Sequence, residues 1–66
     1  MTNYVNIERV GGMFQIVCAD HNHKILAQES TITAKAARYT SRVYCSRFSA
    51  VLTSSACRLL ESWCNG

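Results

Sequence analysis

The sequence predicts an α+β fold in which an antiparallel three-stranded meander (β-β-β) precedes one long or bent C-terminal helix packed on the sheet. Two observations predict it. Apolar residues alternate with polar ones in the first part of the chain, as in strands with one buried face. After residue 33 they recur at spacings of three and four, as on one face of a helix. We expect a single domain, 1–66, with the meander over about 4–29 and the helical part over about 33–64, because the 66 residues include no proline and no internal linker.

The meander begins with a hairpin. Its strands carry the alternating apolar positions Val5, Ile7, Phe14, Ile16 and Cys18. The pair Gly11-Gly12 between them supplies the positive-φ residues that a tight hairpin turn needs. A polar cluster at 20–23 follows, and residues 24–28 can then form a third strand.

The helical part begins after Thr33, a good N-cap, with the strong helix formers Ala34, Ala36 and Ala37. Its later apolar stripe consists of Tyr44, Phe48, Val51, Leu52, Ala56, Leu59, Leu60 and Trp63. We expect Phe48, Leu52, Leu59 and Trp63 to face the sheet, so truncation of Phe48 to alanine should cost about 3–5 kcal/mol. An unbroken helix would span about 46 Å, too long for such a meander. We therefore expect that the end of the helix protrudes or that the helix bends near Ser54. The bend is preferred because Ser and Thr side chains there compete for backbone hydrogen bonds.

The region from about Tyr4 to Arg42 resembles the YegP-like family of small bacterial domains. The resemblance is carried by the hairpin, the polar turn, the segment 25–30 and the Ala-Lys-Ala start of the helix at 34–36. It implies a meander followed by a helix, with no function attached. The chain departs from the family at His21-Asn22-His23, where Asn-Gly is usual, and in its longer helix. Similar layouts occur in the arm-type DNA-binding domains of integrases, so fold alone does not select a function.

The cysteines predict free thiols. No secretory segment or membrane span is apparent, so we expect a cytoplasmic protein in a reducing compartment. A zinc site from Cys18, His21, His23 and Cys45 is an alternative, but Cys-x-x-Cys and His-x-x-x-His pairs are lacking and we expect no metal and no cofactor. Cys57 and Cys64 are seven residues apart and share a helix face, which predicts exposed thiols or an interface.

Catalysis is not expected. The chain has four acidic residues, no glycine-rich phosphate loop and no nucleophile elbow, and a thin-cored domain lacks the walls of a deep pocket. The histidines at 21 and 23 are expected to be solvated turn residues. We therefore expect a protein that is not an enzyme.

Basic residues mark the candidate site. Lys35, Arg38, Arg42 and Arg47 lie within a stretch without Asp or Glu, and the first three share a helix face. The candidate binding residues are Lys35, Arg38, Tyr39, Arg42, Tyr44 and Arg47.

These residues predict a binding or inhibitor protein of the kind that phages and mobile elements encode, docking on a larger host protein in the host cytoplasm. The alternative is a small nucleic-acid-binding module that uses the same helix face. A structural role in a larger assembly is a third possibility, a solvated face is the simplest interpretation, and a homo-oligomer is compatible with all of them.

Overall fold

The computed structural model describes the backbone of residues 2–65 and the side chains of residues 2–61. The elements, in chain order, are β1 (Asn3–Val10), β2 (Met13–Ala19), β3 (Ile25–Thr31), α1 (Ala34–Arg47), β4 (Ala50–Leu52) and α2 (Ser54–Asn65). They form a four-stranded sheet in the order β3-β2-β1-β4, in which β1 pairs with β2 antiparallel and with β4 parallel. The α+β class and the meander are confirmed, whereas the single helix is wrong.

The predicted hairpin is present. Gly11 and Gly12 have φ values of 57° and 80°, the left-handed region in which glycine carries no steric penalty. The register that they set pairs Val5 with Cys18 and Ile7 with Ile16. Because opposed residues in an antiparallel pair point to the same face, these four side chains form one buried surface.

The turn between β2 and β3 is built by Asp20. Its Oδ1 accepts hydrogen bonds from the backbone N–H groups of Asn22 (2.8 Å) and Lys24 (3.0 Å), and His23 has a φ of 66°. A register shift between Cys18 and Ala19 follows in the β2–β3 ladder. The turn thus ends in a bulge that bends the start of β3.

The helical region is interrupted by β4. Thr33 caps α1, as predicted, with its hydroxyl accepting from the N–H of Ala36 (3.1 Å). After Arg47 the chain leaves the helix through Ser49, whose φ is 51°. Asn3 Nδ2 donates to the carbonyl of Phe48 (2.8 Å) and ties this end of α1 to the start of β1. The following residues can then extend alongside β1 as a parallel strand.

The predicted change of direction near Ser54 coincides with the start of α2. The hydrogen bonds of Thr53 hold the chain in this turn. Its N–H donates to the carbonyl of Val5 (3.0 Å), which ends the pairing of β4 with β1. Its hydroxyl accepts from the N–H of Ala56 (3.1 Å) and donates to Asn6 Oδ1 (2.9 Å). Thr53 is therefore both the cap of α2 and its link to the sheet.

Both helices contribute to a single core on one face of the sheet. Its buried members are Val5, Ile7, Phe14, Ile16, Cys18, Ala37, Ala50 and Ala56. Phe48, Leu52 and Leu59 pack against it half-buried. The side chain of Trp63 lies outside the described residues. Because Phe48 is only half-buried, its truncation should cost less than the 3–5 kcal/mol typical of a buried phenylalanine.

Val51 does not belong to the core stripe. It pairs with Tyr4 on the opposite face of the sheet and is 49 % exposed. The helical spacing that placed it in the stripe does not apply, because residue 51 lies in a strand, where neighbours alternate between faces.

Candidate functional site

Four of the predicted site residues form one surface of α1. Lys35, Arg38, Tyr39 and Arg42 line a shallow cavity of about 270 Å³. The three cations are spaced by three and four residues, so the helix itself brings them together. We call these four residues the α1 basic surface.

The charges on this surface have no internal partners. The 14 residues of α1 include no Asp or Glu, and the side chains of the three cations make no ion pair or hydrogen bond with residues 2–61. Lys35 lies in the first turn, where the helix dipole itself favours an anion. Tyr39 beside them is 71 % exposed. The surface therefore presents three cations and a phenol ring to solvent, a combination that suits an acidic partner.

Tyr44 and Arg47 do not join that surface. Tyr44 follows Lys35 by nine positions, which at about 100° per residue places it on the opposite side of the helix. It packs against the core with its ring edge-on to Phe48 at 5.9 Å, and burial raises the pKa of its phenol. Arg47 lies 5.8 Å from the ring centre of Phe48, outside the cavity lining. The structure therefore places these two residues apart from the other four predicted site residues.

The four ligands considered for zinc lie on different sides of the sheet. Cys18 is buried in the core beside Cys45, and burial is the main reason that the pKa of each thiol is raised. His21 and His23 are exposed and line a groove on the other face. Within the described part of the chain, no three His, Cys, Asp or Glu side chains are grouped to hold a metal ion. Cys57 is exposed, and the side chain of Cys64 lies outside the described residues.

A second concave surface lies on the face of the sheet opposite the core, with Ser55 of α2 in its lining. Pairing across the strands aligns Val51, Tyr4, Ala19 and Ile25 in one apolar row. Three of these residues, with Val17, form the floor of a groove of about 720 Å³, with Asp20, His21 and His23 at one end and Thr53 at the other. We call this the outer groove.

The local sequence signal for the outer groove is weak. Tyr4, Val17 and Ile25 are apolar residues at positions that face away from the core, but only the registers and the bulge show that they are neighbours.

Comparison with protein-family models, curated proteins and solved structures found no match to this chain. The resemblance to the YegP-like family stays a prediction. Among the described residues, no helix has the length and apolar character that crossing a membrane requires.

Proposed function

We propose that this chain is a small non-enzymatic binding protein, of the inhibitor type, that docks the α1 basic surface onto an acidic patch of a larger protein. The observation that carries the proposal is the convergence of three cations without internal partners and one exposed tyrosine around a single concavity. A solvated helix face usually mixes both signs of charge, and α1 has only one.

Each residue has a role in this interface. The guanidinium groups of Arg38 and Arg42, one helical turn apart, can each pair with a carboxylate through two parallel hydrogen bonds. Lys35 adds a third charge that steers the encounter with an acidic surface. Tyr39 supplies contact area at a low entropy cost, as tyrosines at interfaces commonly do.

The character of the cavity supports binding over catalysis. The described residues of its lining, Lys35, Arg38, Tyr39 and Arg42, offer no carboxylate, imidazole or thiol to accept a proton or attack a substrate. Its small volume also lies below the range of about 300–1,000 Å³ usual for ligand pockets. Contact with a protruding acidic segment of another macromolecule suits such a surface better.

Binding to nucleic acid is the second candidate, because guanidinium groups without acidic partners also fit phosphates. With three cations, nucleic-acid binding by this surface alone would be weak and would fall steeply with salt. An origin in a phage or mobile element, with action in the host cytoplasm, also stays a prediction.

A capture experiment separates the two candidates. The immobilised full chain is exposed to a candidate host lysate with and without nuclease treatment, beside the charge-reversal variant Arg38→Glu/Arg42→Glu. The control variant Lys24→Glu/Arg58→Glu changes the net charge equally at exposed sites outside α1.

We expect one acidic protein to be retained by the wild type and the control, to be lost with the α1 variant and to be unaffected by nuclease. Retention that depends on nucleic acid and persists with unrelated DNA would favour the second candidate. Equal retention by all three proteins would contradict both.

A further inference from the structure

The outer groove combines an apolar floor with acidic groups. Tyr4 and Ile25 are 44 % and 56 % exposed, so the floor is open to solvent. Among the described residues, the lining includes the carboxylates of Glu8 and Asp20 and no Lys or Arg, although the charge of Lys24 helps to lower the pKa of Asp20. The groove is thus locally negative on a chain whose net charge is +3.

The shape of the groove is held by its ends. Asp20 fixes the turn at one end through its two backbone hydrogen bonds, and Thr53 is fixed at the other by its bond to Asn6. The same backbone hydrogen bonds lower the pKa of Asp20, so its carboxylate is charged at neutral pH. The groove volume of about 720 Å³ falls within the usual range for binding sites.

We propose that the outer groove binds an extended peptide segment of a partner protein in which apolar side chains stand next to lysine or arginine. The apolar side chains cover Tyr4 and Ile25, and the cations pair with Glu8 and Asp20. Charge complementarity therefore identifies the partner. The site lies across the sheet from α1 and is independent of the function proposed above.

A second copy of this chain fits the groove poorly. Face-to-face pairing of two outer faces would bring the Glu8 and Asp20 carboxylates of both copies into one interface, where like charges repel. Three strands of seven or eight residues and the three-residue β4 also present only roughly 380 Å² per copy, about half of the ~800 Å² of a standard interface.

The test is an NMR titration of the full-length, ¹⁵N-labelled chain with three capped hexapeptides. The first contains two phenylalanines and two lysines. One twin has glutamates in place of the lysines, and the other has serines in place of the phenylalanines. We expect the first peptide to cause saturable shifts at the amides of Val17, Ala19 and Ile25. Both twins should bind this groove with an affinity at least about tenfold lower.

Removing one charge tests the recognition directly. Glu8→Gln should lower the affinity for the lysine peptide about two- to fivefold, the range for one exposed charge pair. The matched variant Glu61→Gln removes an exposed carboxylate from α2 and should leave the affinity unchanged.

Three results would overturn the proposal. The lysine and glutamate peptides could bind the groove equally, or the lysine peptide could shift only amides of α1. Alternatively, the groove amides could shift when the protein concentration is raised without any peptide. The last would identify a second copy as the occupant. Shifts at residues 35–42 with the glutamate peptide report separately on the α1 basic surface, so either proposal can fail without the other.

Discussion

Asp20 both fixes the shape of one end of the outer groove and contributes a negative charge to it. Asp20 is partly exposed, and its carboxylate holds two backbone N–H groups of the turn that follows β2. The hydrogen bond from Lys24 is the main reason that its pKa is lowered, and the bond from Asn22 adds to it. Since these bonds favour the charged form, ionisation of Asp20 and formation of the turn stabilise each other.

We predict that Asp20 makes the folded chain sensitive to acid. Because the pKa of Asp20 is lower in the folded chain than the unfolded value of about 3.9, its contribution is present above that value and is lost as the pH falls through the folded pKa. Asp20→Asn should melt below the wild type at pH 7, and the gap should narrow by pH 3. Glu61→Gln is the control for loss of one carboxylate, and a gap of constant size across this range would contradict the linkage.

At the scale of elements, the break between α1 and α2 is the feature that the sequence did not reveal. Thr33 predicts the start of α1, and the alternation of apolar residues predicts β1 and β2. No glycine or proline lies between Arg47 and Ala50 to signal the break, and the chain turns instead through Ser49 in a left-handed conformation that non-glycine residues seldom adopt. The three residues of β4 are also too few to show alternation.

We predict that Ser49→Gly stabilises the fold. Glycine removes the steric cost of the positive φ, about 1–2 kcal/mol, and returns part of that gain through its greater freedom in the unfolded chain. The net gain should be about 0.5–1 kcal/mol, or a few degrees in melting temperature. Ser46→Gly, one residue before the end of α1, is the matched control and should destabilise by up to about 1 kcal/mol. If both variants lowered the melting temperature equally, Ser49 would not be strained.

The candidate site was predictable to the extent that it depends on one helix. The spacing of Lys35, Arg38 and Arg42 places them together on any helix, whereas Tyr44, nine positions after Lys35, lies on the opposite side of α1. The outer groove depends on strand register and on the bulge after Cys18, which no local pattern specifies.

For the whole molecule, the sheet separates two surfaces of opposite character. The α1 basic surface lies on the helical side, and the acidic, apolar outer groove lies on the other. The edge strand β3 has two protective features: the register shift near its start, and the exposed charge of Glu29 on its helical face, where it accepts a hydrogen bond from Thr40 (2.9 Å). Charged side chains and bulges are features that discourage edge-to-edge pairing, so the two faces are the better places for a partner.

The measurement that tests the central claim is made on Arg38→Glu/Arg42→Glu: its melting temperature by calorimetry and its affinity for a labelled ten-residue polyglutamate peptide. Both side chains are exposed and outside the core, so the melting temperature should shift by no more than a few degrees. Affinity should fall at least about tenfold, because two attractive charges become repulsive. Lys24→Glu/Arg58→Glu should keep both values near those of the wild type. Unchanged affinity in the α1 variant, or a loss no greater than that of the control, would contradict the account.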